Sequence, residues 1–427
     1  MSQTSGHHQE IRLHWLGICC ALVAGAWLGA AEAPTKLVTI GLSPFAISLC
    51  MVTGVFVARW TFPTLLKGTS YIFQDLSRRR HLIIWALLAG ALWAVANTLT
   101  VIAIRDVGLS IAFPLWNANA LVGIIWGRVL FGELKGASVN TLIRVIFGAL
   151  AIVLSAVLLG FSSTHAPSVT GGHASRGILA ALGACVLWGT MYIPYRKAYI
   201  SGLNPLSFVT AFTLGELATV ATLAIALGGG VHALSAELHG ARHLLFWLFL
   251  GGFAWVIGDL FQQFAAKYLG IGRGIPLANT NQLWGLAWAA LVFQELKHAT
   301  PTQMFLVIGG SLGMILGTML LASAVASTQE NTSRNEAIFR ECTRYNLDYL
   351  ETLSAMSGTS HDHPGMNRRW WDLAIMLAAL GFFVYFGRSA AIPTVAMNHL
   401  WLIILSVLLL VILLVGTWRL KRDTNFS

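Results

Sequence analysis

One stretch of this chain occurs twice, and the repeat constrains the fold more than any other feature. Residues 93–135 and 255–297 align at a constant offset of 162 without a gap, with 14 of 43 positions identical. The identities include Trp93/Trp255, Gly108/Gly270, Pro114/Pro276, Asn117/Asn279, Asn119/Asn281, Trp126/Trp288 and the Glu-Leu-Lys endings at Lys135 and Lys297. The correspondence continues upstream. Pro44 and Gly54 match Pro205 and Gly215 at an offset of 161, and Gly29, Pro34 and Lys36 match Gly189, Pro194 and Arg196 at 160. Loops absorb such one-residue shifts, so residues 14–160 and 176–325 read as two copies of one unit.

The unit is a membrane unit. Hydrophobic residues make up 56% of the chain and charged residues 10%, against roughly 25% charged in soluble domains. Apolar runs of about 20 residues recur, the length a helix needs to cross a bilayer. Alternating barrel patterning is absent, and backbone groups in lipid must be satisfied within their own segment, so the spans are helices. The net charge of +10 belongs to loops at the cytoplasmic surface and calls for no nucleic acid. Cys19, Cys20, Cys50 and Cys185 lie in apolar runs and Cys342 stands alone, a pattern of small buried hydrophobes. The run Trp15–Ala33 resembles a signal peptide, but Pro34 follows it and a counterpart recurs at 178–197, where no signal could act.

The pattern predicts helices at 14–34, 40–60, 81–104, 107–131 and 140–160, then at 176–196, 204–228, 243–266, 270–293 and 302–325. Residues 1–13 form a disordered cytoplasmic N-terminus, 161–175 link the copies and 326–369 make a polar cytoplasmic linker. Residues 370–427 add two transmembrane helices and a basic tail. The expected fold is thus an all-α polytopic membrane protein: a ten-helix bundle of two five-helix repeats plus a C-terminal pair of transmembrane helices. With the N-terminus inside, nineteen loop Lys and Arg residues fall on the cytoplasmic side and six outside, which places both termini in the cytoplasm of a plasma (inner) membrane. Five is odd, so the second copy enters the membrane inverted. Inverted repeats are a recurring plan of secondary transporters, with the substrate site near the midplane.

Gly90-Ala91-Leu92-Trp93-Ala94, Gly108-Leu109-Ser110 and Phe131-Gly132-Glu133 resemble the third and fourth helices of bacterial glucose uptake permeases. Lys267-Tyr268-Leu269-Gly270-Ile271 is similar to the matching segment of rhamnose–proton symporters. Both are glucose/ribose porters of the drug/metabolite transporter superfamily. The resemblance covers residues 14–325 and implies ten helices in two inverted halves and uptake of a sugar or similar polar metabolite. Residues 326–427 depart from it.

The candidate site residues follow the repeat. Trp93, Asn97 and Thr100 share one helix face, and Trp255, Asp259 and Gln262 hold the same places in the second copy. Polar groups in lipid turn toward the bundle interior or a wet cavity. An indole beside amides suits a sugar, which offers C–H faces and hydroxyls; interhelical hydrogen bonding would account for the same stripe. Pro114-x-x-Asn117-x-Asn119 and Pro276-x-x-Asn279-x-Asn281 interrupt helices four and nine at matching places, a pointer to a transporter site. Gln282 falls one turn from Asn279 on the same face. Residues two apart cannot share a face, so one asparagine of each pair is expected inward. The substrate-binding candidates are therefore Trp93, Asn97, Asn117, Trp255, Gln262, Asn279 and Gln282.

Asp259 is the expected proton-coupling acid, since burial disfavours the charged form of a carboxyl; its repeat partner Asn97 cannot titrate. A permanent pair with Lys267 or Arg196 is the competing account. Glu32 is the second coupling candidate, although Lys36 one turn on offers a simple ion pair, and Glu216 is a further buried acid. Glu133 and Glu295 read as structural groups at helix ends. No cofactor, metal or catalytic residue is called for: Ser360-His361-Asp362-His363 lies in a polar loop with no second cluster. The expected partners are a sugar, a proton and the lipid bilayer, with a second copy of the chain as an option. The alternatives are the same fold carrying a ureide, a nucleotide sugar or a drug-like compound, or an intramembrane glycosyl or lipid transferase.

Overall fold

The computed structural model describes residues 2–31, 33–34, 42–107, 112, 115–162, 174–294, 296–297, 299–358, 368–391 and 397–426, and all regular structure within them is helical. The first half comprises α1 (Ser2–Ala30), α2 (Pro44–Leu66), α3 (Thr69–Arg78), α4 (His81–Val107), α5 (Asn119–Phe131) and α6 (Val139–Ser162). The second comprises α7 (Ala174–Ile200), α8 (Pro205–Leu227), α9 (Gly230–Gly240), α10 (Leu245–Leu269), α11 (Ile271–Ala278), α12 (Asn281–Ala287) with a π-turn over Trp288–Val292, and α13 (Pro301–Ala322). Then come α14 (Thr328–Tyr345), α15 (Tyr349–Ser357), α16 (Trp370–Ser389) and α17 (His399–Thr424). Among the described residues ten helices are long and apolar enough to cross a membrane, which makes this a multi-pass membrane protein. Eight belong to the two repeated units and two to the C-terminal segment.

The helices begin and end where local chemistry requires. Pro44 and Pro205 each occupy the first helical turn, where a missing N–H costs nothing. Each follows a capping side chain: Ser43 Oγ accepts from Ala46 N at 3.2 Å, and Asn204 Oδ1 from Leu206 N at 2.9 Å. Small residues let the helices cross closely, as bundles in lipid require. A Cβ at Gly54 of α2 would lie 2.1 Å from the Phe249 carbonyl oxygen of α10, and one at Gly252 of α10 would lie 2.0 Å from that of Met51. At the positions matched by the repeat, Gly215 of α8 meets Leu87 of α4 at 2.2 Å and Gly90 meets Phe212 at 2.1 Å. Helices α6 and α13 touch through Gly148 and Gly317.

The expected helices at 107–131 and 270–293 are not continuous. Residue Ala118 is a turn, and so are Asn279 and Thr280, at places matched by the repeat. Gly270, with φ of +83°, separates α10 from α11, a conformation glycine adopts without a Cβ clash. Helix α1 begins at Ser2, upstream of the expected residue 14. The polar segment after residue 326 forms two helices that dock on one end of the bundle. There Arg273 holds Glu330 through two bonds of 2.6 and 2.8 Å, Lys197 pairs with Glu341, and His81 stacks on Tyr345 at 3.8 Å. Arg12 donates to the Asp423 carbonyl at 3.4 Å at this same end, so the first and last helices share it. The opposite end is tied by Ser43 to Glu237 at 2.9 Å and by Arg176 to Asp106 at 2.6 Å.

Candidate binding cavity

Between the two halves lies a cavity of about 430 Å3, inside the roughly 300–1,000 Å3 range of small-molecule sites. Six of the seven substrate-binding candidates line it: Trp93, Asn97, Asn117, Trp255, Gln262 and Asn279. Asp259 lines it too, with Thr100, Asn119, Asn281 and Trp116. The lining reaches from Asp259 at the middle of α10 to Ile47, Ile104 and Leu248 near the end tied by Ser43–Glu237.

The repeat-matched tryptophans Trp93 and Trp255 touch each other, ring centroids 5.1 Å apart at 59°. Each half thus contributes one indole to a shared apolar wall. Asn97 Nδ2 donates to Ser48 Oγ at 2.9 Å, and Tyr192 OH reaches Asn119 Oδ1 at 3.5 Å. The buried Asn279 Nδ2 and Trp188 Nε1 have no hydrogen-bond partner among the described residues, and both residues line the cavity. Buried donors left unpaired cost free energy, and a polar solute with hydroxyl acceptors would satisfy them.

Three expectations need correction. Gln282 does not line the cavity; the turn at Asn279 and Thr280 breaks the helical register that would have placed it there, and its amide donates to Asn281 Oδ1 at 3.3 Å. The same turns, at Ala118 and at Asn279–Thr280, let all four asparagines line the cavity, where an unbroken helix would have admitted one of each pair. Asp259 pairs with neither Lys267 nor Arg196; its partner is Arg59. Glu32 lies outside the described residues, as do Pro114, Glu295 and residues 359–367.

Sequence reasoning missed Arg59 altogether. It stands in the apolar run of α2, and a cation in such a run is itself the signal that could have found it. Its side chain is fully buried. Nη1 meets Glu216 Oε2 and Nη2 meets Asp259 Oδ2, each at 2.7 Å. The guanidinium also lies 4.1 Å from the Phe212 ring centroid, a favourable cation–π position. Asp259 Oδ1 accepts from Gln263 Nε2 at 3.0 Å, and Tyr199 OH donates to Gln263 Oε1. Thr213 Oγ1 approaches Glu216 Oε2 at 3.3 Å.

Beyond this set, toward the end that carries α14 and α15, Glu133 ties neighbouring elements together. Glu133 accepts from Ile271 N at 3.1 Å and Gly272 N at 2.9 Å, covering the first turn of α11, and pairs with Arg196 Nε at 2.8 Å. A carboxylate there satisfies amides that a helix start leaves free and complements its dipole. Glu133 is therefore the structural group expected of it.

No protein-family model matches the chain. The chain is 23% identical over 256 residues to a Listeria monocytogenes protein named for sugar uptake, covering 60% of this chain and 84% of that one. It is 22% identical to a Staphylococcus epidermidis protein named for glucose uptake, covering 62% and 86%. It is 27% identical to a Staphylococcus aureus protein named for ribose uptake, covering 67% and 86%. A solved structure described only as a crystal structure of protein shares the fold, with a TM-score of 0.50 at 16% identity, over 72% of this chain and 96% of that one. The resemblance to glucose/ribose porters stands on these relatives.

Proposed function

We propose that this relative of the glucose/ribose porters is a secondary transporter that carries a sugar across the plasma membrane by alternating access, coupled to protons. The observation that carries the reading is the cavity itself. It lies where the two repeated units meet, and each unit supplies a tryptophan, two asparagines and one polar stripe. Indole faces and carboxamides together bind a solute with apolar C–H faces and many hydroxyls. Relatives named for sugar uptake support the substrate class.

The two units are read as inverted repeats. The glycine crossings of α2 with α10 and of α8 with α4 use matched positions, and each unit holds four long spans plus one shorter or broken helix, α5 in the first and α11–α12 in the second, which we count as its fifth span. With the basic end in the cytoplasm, the cavity, which reaches toward the Ser43–Glu237 end, faces outward, and the end tied by Glu133, α14 and α15 faces inward. Asp259, at the base of the cavity, belongs to the acid cluster that couples transport to protons. A drug-like cation is the less fitting cargo, because Arg59 already meets the carboxylate of Asp259 at 2.7 Å.

Purified protein in proteoliposomes is expected to exchange a labelled sugar unmodified, tested over a panel by counterflow. Trp255→Ala and Gln262→Ala are each expected to weaken binding, by about tenfold for the indole, from roughly 1.4 kcal/mol of lost contact. Unchanged affinity in well-folded Trp255→Ala would make the stripe a packing device. Chemical alteration of the sugar would favour the transferase reading.

A further inference from the structure

We propose that the group carrying the coupling proton is Glu216, with Asp259 held permanently ionised by Arg59; the transport role of that proton rests on the reading above. The inference starts from a count of charges. One buried guanidinium faces two buried carboxylates, all three side chains at most 1% exposed. With both acids ionised the set holds one uncompensated negative charge in the middle of the bilayer. Burying a charge without a partner is strongly unfavourable, whereas a paired and hydrogen-bonded set is tolerated. One bound proton restores neutrality.

The hydrogen bonds say where that proton sits. Both oxygens of Asp259 are already acceptors. Oδ2 takes Arg59 Nη2 at 2.7 Å, and Oδ1 takes Gln263 Nε2 at 3.0 Å. The Tyr199 hydroxyl fixes the orientation of that amide by donating to its oxygen. An acid that accepts at both oxygens is stabilised as the anion. Glu216 differs. Oε2 accepts from Arg59 Nη1 and Thr213 Oγ1, but Oε1 is buried with no partner among the described residues. A proton there removes charge from the one oxygen that nothing solvates.

Among the described residues Arg59 is the one cation paired with either acid. Among the described residues the ionisable groups facing the set are Arg59 from α2, Asp259 from α10, and Tyr192, Tyr195 and Tyr199 from α7. Helix α4 meets Glu216 at Gly90, which has no side chain. Helices α3 and α9 reach α8 only near its two ends. Asp259 lines the cavity and Glu216 does not, so the two acids divide the work: one faces the solute, and the other stores the proton one guanidinium away. A hydronium of the cavity water gives its proton to Oε1 and is left as neutral water, so one O–H bond breaks as one forms and nothing else changes. The loaded set is neutral and can be enclosed from both sides; the unloaded set is not. Turnover of the empty or loaded protein is then tied to one proton.

Isotope-edited infrared difference spectra of the full chain in liposomes, taken across a pH titration, test this directly. The expected result is one protonated-carboxyl band that titrates, shifts when glutamate is 13C-labelled, does not shift when aspartate is labelled, and is lost in Glu216→Gln. A band that shifts with labelled aspartate would put the proton on Asp259 and overturn the assignment. So would the absence of any titrating band. Labelled wild-type protein suffices if the variant does not fold. In transport, Glu216→Gln is expected to keep counterflow while losing accumulation driven by a pH gradient; retained accumulation would overturn the coupling role. Failure of the wild-type protein to exchange any sugar would sink the sugar reading while leaving the infrared result to be judged on its own.

Discussion

The crossing of α2 with α10 and the crossing of α8 with α4 are built alike and charged differently. Both are closed by a pair of glycines, Gly54 with Gly252 and Gly215 with Gly90, and all four would place a Cβ within 2.2 Å of a carbonyl oxygen opposite. Yet Arg59 of α2 corresponds to Val220 of α8 at the offset of 161, Glu216 corresponds to Val55, and Asp259 to Asn97. Backbone shape is kept in both copies because close helix packing in lipid depends on it. Charge is kept in neither copy but split across both: the cation comes from the first and both acids from the second. The set can therefore exist only when the halves are assembled.

The largest test of this contrast removes the cation. Arg59→Met leaves Glu216 and Asp259 facing each other without a partner, and breaking a buried ion network in this way costs about 3–5 kcal/mol. Val220→Met at the matched position of the other crossing is expected to cost less, within the roughly 1–3 kcal/mol of an overfilled core. Unfolding of the two variants in detergent makes the comparison. Equal losses would mean that Arg59 acts through packing rather than through charge.

Next in size are the glycines. Gly54→Ala and Gly215→Ala are each expected to cost about 1–3 kcal/mol, since the opposing atoms are backbone and cannot turn aside. The two costs should be alike, since the opposing carbonyl oxygens would lie 2.1 and 2.2 Å from the new Cβ atoms. Costs that differ several-fold would show that the two crossings are alike only in outline.

Much of this was legible in the chain. Alignment at one offset exposed Trp93 with Trp255 and the asparagine pairs, because a repeat repeats its inward face. Arg59 escaped for the converse reason: its counterpart is Val220, so a search for matched polar residues passes over it. The partner of Asp259 escaped because it comes from α2, which no periodicity within α10 can reveal. The docking of α14 and α15 was hidden as well. Glu330, Glu341 and Glu351 are ordinary surface acids until Arg273, Lys197 and Arg79 are brought opposite them.

The smallest expected effect belongs to Gln282, and it probes the broken helix. An unbroken helix would place Gln282 three residues beyond Asn279 on one face. In the structure the chain turns at Asn279 and Thr280, and α12 starts afresh at Asn281. Gln282 then leaves the wall of the cavity, half-buried, while Asn279 and Asn281 both stay on it. The matched residue of the first copy is Ala120, which has no polar group to offer. Gln282→Ala is therefore expected to change solute affinity by less than about twofold, the change of roughly 0.5 kcal/mol usual for positions away from a site. Asn279→Ala, which removes an unpaired buried donor facing the cavity, is expected to weaken binding more. Titration of both variants with the transported solute measures the difference. If Gln282→Ala loses as much affinity as Asn279→Ala, the turn must wind into continuous helix when the solute is bound, and the break at Thr280 would be a moving part of the transport cycle rather than a fixed feature of the wall.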